Sequence, residues 1–175
     1  MTFAPRCGRT IARAVCPDSG AIALSKFKSF PLTPVMDTNA YANNDVAFIP
    51  TKISDFFPSP LNDVVLQSVS VLDLSAQSQA IDLIFFNKSI AIGNANAVLS
   101  PTDADVLSAI CGQQSILAAD YKSLVNSSFA HVGNIWKNLK PSGESSDVWV
   151  AGVIRSGTPT YTAAAINLTF GLERS

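Results

Sequence analysis

Thr160 to Leu172 reads TYTAAAINLTFGL, and its second half alternates. Ile166, Leu168, Phe170 and Leu172 fall on one side of an extended chain, with Asn167 and Thr169 on the other. Successive side chains of a strand point to opposite faces, so this segment is predicted to be a strand with one face on a core. Upstream, SDVWVAGVIRSGTP from Ser146 supplies a second strand and the turn residues Ser156-Gly157-Thr158-Pro159, which predict a β-hairpin closing the fold.

The same signature recurs earlier in the chain. DVVLQSVSVLDLS from Asp63 alternates Ser68 and Ser70 with Val69 and Val71, then places Leu72 and Leu74 on the opposite phase. That slip predicts a bulge or bend. AIDLIFFN from Ala80 is apolar on both faces, and the polar link Ser75–Gln79 predicts that these two runs pair with each other. VMDTNAYANNDVAF from Val35 reads as short strands with tight turns at Asp37-Thr38-Asn39 and Asn43-Asn44-Asp45. Residues 113–140 read better as broken strands than as a helix. In PTKISDFFPSP from Pro50 the prolines exclude a central strand or a helix, so Phe56 and Phe57 sit in a rigid loop. They are either tucked over the core or offered to a partner.

One helix is predicted, over about 101–111. Ser100 is its N-cap, Pro101 its first residue and Asp103 its early acid, with Val106, Leu107, Ile110 and Cys111 forming a stripe that should lie across an open end of the sandwich. Short strands, frequent turns and a single helix make the fold class mainly β: an antiparallel sandwich of jelly-roll type over residues 31–175. Residues 1–30 read as an extended N-terminal arm.

With 175 residues the chain forms about one domain and can bury roughly 70% of its unfolded surface. Charged residues are scarce at 14%, against 47% hydrophobic, which suits a surface made for partners. The arm contains Arg6, Arg9, Arg13, Lys26 and Lys28 against Asp18, a net of +4, and the remainder carries 7 basic and 12 acidic residues, a net of −5. Such an arm suits the acidic body of a neighbouring copy, and its charge is too sparse to support direct nucleic-acid binding. Together with Phe56 and Phe57, these five basic residues are the candidate partner contacts. No apolar run is long enough to span a membrane. The arginines interrupt any secretion signal, so synthesis in the cytoplasm is expected.

Residues that perform chemistry are sparse. Cys7, Cys16 and Cys111 are an odd number without C-x-x-C spacing, so reduced structural thiols are expected, with no metal and no cofactor. His131 is the single histidine, among small and apolar neighbours, and no nucleophile-elbow or phosphate-loop motif occurs. Asp103 and Asp105 diverge on a helix and serve its N-terminus. An enzyme is not expected. It would require a pocket gathering Asp73, Asp82 and His131.

Four stretches are similar to a loose family of small tailed-phage virion proteins: DTNAYANNDV from Asp37, LQSVSVLDLSAQSQAIDLIFF from Leu66, SPTDADVLSAI from Ser100, and VWVAGVIRSGTPTYTAAAINLTFGL from Val148. The resemblance implies a capsid decoration or cement protein, a homotrimer on the outside of the head that grips neighbouring major capsid subunits. It carries over no functional residue. Two alternatives accompany it. One is a tail, neck or connector component. The other is a glycan-binding module for host attachment, stacking sugars on Trp136, Trp149 or Tyr161.

Overall fold

The computed structural model describes residues 26–174. Two antiparallel sheets face each other. The first contains β1 (Lys26–Leu32), β3 (Val64–Asp73), β6 (Tyr121–Ser123), β7 (Ser128–Val132), β8 (Lys137–Leu139) and β10 (Ile166–Arg174). Its order is β1-β10-β3-β7-β6, and β8 lies beside the first half of β3. The second contains β2 (Val46–Ile53), β4 (Ile81–Phe86), β5 (Ile110–Ile116) and β9 (Val148–Ile154), in the order β2-β9-β4-β5. From β1 to β4 every connection crosses to the other sheet; the chain then stays for β5, crosses back for β6, β7 and β8, and crosses again to β9 and to β10. That double Greek-key weave is the jelly roll, as expected from the strand signals.

The weave corrects two expected pairings. The 148–154 and 166–174 strands are not a hairpin: β9 lies between β2 and β4, whereas β10 lies between β1 and β3. Likewise β3 and β4 do not pair, because the 74–80 link carries the chain across the sandwich. Alternation tells each strand which face to bury and is silent on which strand lies beside it.

Asp73 explains why the expected phase slip is absent. Its buried carboxylate takes the inward position after Val71, accepting from the backbone N–H of Ser75 and Ser78, each at 2.9 Å, and from Ser128 Oγ at 3.5 Å. Leu72 therefore stays outward in phase with Ser70, and the bulge falls earlier, opposite Gly171 and Leu172. The polar link is thus wound around a buried anion.

Phe56 and Phe57 are core residues, so the sequence reading of them as partner contacts is corrected. Both are fully buried. The Phe56 ring lies 5.2 Å from Phe30, 5.4 Å from Phe57 and 6.5 Å from both Phe85 and Phe170, which ties a loop to strands of both sheets. Pro50 falls within β2, an edge strand that tolerates proline, so the rigid loop begins only after Ile53, and aromatic burial holds the segment before Pro58. β1 already begins at Lys26, so residues 26–30 belong to the sandwich rather than to the arm.

The outer face of the second sheet is roofed. Residues 87–109 run across it, and Ile92 and Ala109 pack on Val46, Ile84, Phe86 and Val153. This is why β4 is buried on both faces. Helix α1 (Asp103–Ala109) lies in this connection, and its cap is Thr102 rather than Ser100: Thr102 Oγ1 accepts from Asp105 N–H at 3.2 Å and donates to Asp105 Oδ2 at 2.6 Å. Either residue is a competent cap and each stands three residues before an acid, Asp103 for Ser100 and Asp105 for Thr102; the helix takes the second pair. The apolar stripe does not close an end of the sandwich. Ala109 alone is buried, while Leu107 is 90% exposed.

Candidate interaction surface

The groups that could have formed a catalytic site point in three directions. Asp73 is turned inward on β3. Asp82, on the outer side of β4, is held by Arg155 Nε at 2.6 Å and accepts from Ser115 Oγ at 2.5 Å. His131 lies on the outer face of the first sheet, its Nδ1 2.9 Å from Ser70 Oγ across the strand pair. Each has a structural partner, and they do not share a pocket.

Among the described residues no three His, Cys, Asp or Glu side chains come together as a metal site, and no helix is long and apolar enough to cross a membrane. Cys111 packs against the core, and burial pushes its thiol up to about 12. Cys7, Cys16, Arg6, Arg9 and Arg13 lie outside the described residues. Lys26 opens β1, and the exposed Lys28 extends its ammonium over the Phe30 ring, 4.7 Å from the centroid.

Of the aromatic side chains proposed for sugar stacking, Tyr161 is buried beneath the loops. Trp149 is half-buried against the roofing connection, with Lys52 6.0 Å from its ring centre. Trp136 alone is open, at 66%, and it adopts a left-handed φ of 53°, unusual for a bulky side chain. It belongs to the break between β7 and β8, where Ile135 N–H donates to Gln67 O.

Tyr161 and Tyr41 meet edge to face at 5.9 Å where the 33–45, 74–80 and 155–165 loops converge, and Tyr41 OH donates to Ala47 O at 2.9 Å. Burial raises the Tyr41 phenol from its ordinary 10.0 to about 12, and it also raises Tyr121 and Tyr161, with the Asp73 charge adding to both. Below pH 10 the folded and unfolded chains both keep these phenols neutral, so stability is unaffected there. Between 10 and 12 the unfolded chain releases protons that the folded one retains, so stability falls with rising pH. The melting temperature is expected to drop by more than about 5 °C across that window. The drop should be shallower in Tyr41→Phe, as followed by calorimetry beside phenolate absorbance. A flat wild-type profile would contradict the burial of these rings.

The outer face of the first sheet is built differently from that of the second. Cross-strand register sets Ser29 beside Gly171 and Ser68 in one row, and Pro31 beside Thr169, Ser70 and His131 in the next. Neither row contains an Asp, Glu, Lys or Arg. A Cβ at Gly171 would run into Ser68 Oγ, so the middle of the sheet is flat as well as uncharged. Larger side chains occupy its corners, where Phe27 is 73% and Phe129 38% exposed. The register that makes this face is what sequence reasoning missed; the polar phase of Ser68, Ser70, Asn167 and Thr169 was its visible sign.

The strand order and this surface define a jelly-roll β-sandwich with one bare outer sheet face among the described residues. No protein-family model matches the chain, and no curated protein matches it. Among solved structures it is similar to a chain described as Desmodium yellow mottle tymovirus, at 12% identity and a TM-score of 0.26, covering 86% of this chain and 87% of that one. It is also similar to a chain of the Israel acute paralysis virus pentamer, at 8% identity and a TM-score of 0.25, covering 86% of this chain and 88% of that one.

Proposed function

We propose that this protein is a non-enzymatic virion structural protein that self-associates as a trimer and reinforces a phage head by bridging capsid subunits. The observation that carries the reading is the strand order, β1-β10-β3-β7 against β2-β9-β4-β5, an eight-stranded jelly roll of the type used to build viral shells. The low charge content, the scattering of Asp73, Asp82 and His131, and the resemblance of four stretches to small phage virion proteins support it. Repetition of modest contacts around a shell would supply avidity. A place in the tail or neck would use the same body with different symmetry, and negative-stain class averages separate the two: a single closed ring of six or more copies belongs to a tail part, and a three-fold particle to a decoration.

The basic residues before Lys26 are assigned to gripping the acidic body of a neighbour. Because β1 starts at Lys26, deleting residues 1–25 removes no residue of the described sandwich. Occupancy on reconstituted heads is expected to fall by about tenfold or more, seen as lost density in cryo-EM maps. Unchanged occupancy would remove the arm from the function, and absence of the full-length protein from particles would remove the virion reading. Jelly rolls also serve as lectin domains, and the exposed Trp136 gives a glycan reading its one observation. A glycan array without hits would dismiss it.

A further inference from the structure

The bare sheet face is complementary to itself. Phe27 lies beside Glu173 in the β1–β10 register, and Lys122 lies beside Phe129 in the β6–β7 register. The two pairs occupy diagonally opposite corners. Phe27 and Glu173 are on the β1 side, where β10 ends, whereas Phe129 and Lys122 are on the β6 side, in the row of Leu72 and Asn167 near the start of β10. Each corner therefore presents one exposed aromatic ring and one charge, and the two charges are of opposite sign.

We propose that this face binds the same face of a second copy about a two-fold axis, setting Glu173 of each copy against Lys122 of the other and Phe27 against Phe129. A two-fold contact is isologous: whatever one copy offers, the other offers back. A face of a single charge sign would repel its own image. This one has an uncharged middle and one acid and one base at opposite corners, so both ion pairs form at once. Interface centres are depleted of charge, as the middle rows of this face are.

Size agrees with the assignment. Strands about 4.8 Å apart and rows about 6.8 Å apart give this face roughly 600 Å² before side-chain relief, against the roughly 800 Å² per partner of a standard interface. Its flat Gly171–Ser68 centre lets two sheets approach to the usual spacing of about 10 Å. The contact rests on the self-association reading and names one interface within it. Trimers joined this way become hexamers, and isolated chains become dimers.

Charge reversal tests it. Lys122 is exposed, Glu173 is half-exposed and among the described residues accepts a side-chain bond from Gln67 Nε2 alone, at 2.7 Å, and neither belongs to the core, so the variants should fold, as circular dichroism would verify. In sedimentation velocity the full-length chain is expected to show even-numbered species. Glu173→Lys and Lys122→Glu should each weaken them by about tenfold in dissociation constant, and the double variant should restore them to within about threefold of wild type. Restoration by the double reversal is peculiar to a partner that carries the same two residues. Oligomers indifferent to all three variants, or weakened equally by all three, would overturn this contact and leave self-association standing. A chain monomeric up to about 100 μM would overturn both.

Discussion

Phe56→Ala is expected to destabilise the protein by about 3–5 kcal/mol, lowering the melting temperature by about 6–20 °C for a chain of this size. The ring touches Phe30 from β1, Phe170 from β10, Phe85 from β4 and its own neighbour Phe57, so its loss empties a space bounded by both sheets. Such a cavity cannot collapse unless the sheets move together, and interdigitated cores resist that. Thermal unfolding of the purified chain reads the effect directly. A melting temperature within about 2 °C of wild type would mean that the ring is not where the structure puts it. It would also reopen the reading of Phe56 as a contact for another protein, because truncating such a contact leaves the free chain unchanged.

Asp73→Ala is the second large effect, expected at about 2–4 kcal/mol, or about 4–16 °C. Among the described residues no cation pairs with this buried carboxylate. It is held by the N–H groups of Ser75 and Ser78 and the hydroxyl of Ser128, and in return it shapes the turn that carries the chain from one sheet to the other. Alanine strands two backbone donors. Asparagine keeps one acceptor oxygen and should lose about half as much. A second readout follows from the same charge: Asp73 helps to raise the phenols of Tyr121 and Tyr161, so in Asp73→Asn both should ionise at lower pH than in wild type. An alanine variant as stable as wild type would show that the turn holds without its anion.

How much of this was visible in the sequence depends on what decides each feature. The inward phase of Ile166, Leu168, Phe170 and Leu172 was legible because burial acts on every second residue of one continuous run. The two-faced apolar character of β4 was legible too, although what roofs it was not. Asp37-Thr38-Asn39 was read as a turn from local chemistry, and Asn39 N–H does donate to Asp37 Oδ1 at 2.8 Å. Pairing was not legible, since β9 and β10 are close in sequence and satisfy their edges with strands far from either. β6 and β8 have three residues each, too few to display a period. Phe56 and Phe57 could not be placed from a proline-bounded loop, because the rings they meet come from three separate strands. The candidate surface was half legible: its polar phase could be read, but the meeting of Phe27 with Glu173 and of Phe129 with Lys122 is a product of register.

The 87–109 connection has a bearing on assembly as well as on burial. A sandwich with two naked sheets could stack on its neighbours without end, each added molecule offering a fresh surface to the next, which is how open fibres grow. Here one side is thatched by the molecule's own chain, so stacking through the sheets stops after a single partner. Any larger architecture must then be propagated from the rims and termini, and a particle that needs a finite coat rather than a filament is served by a building block with a built-in stop.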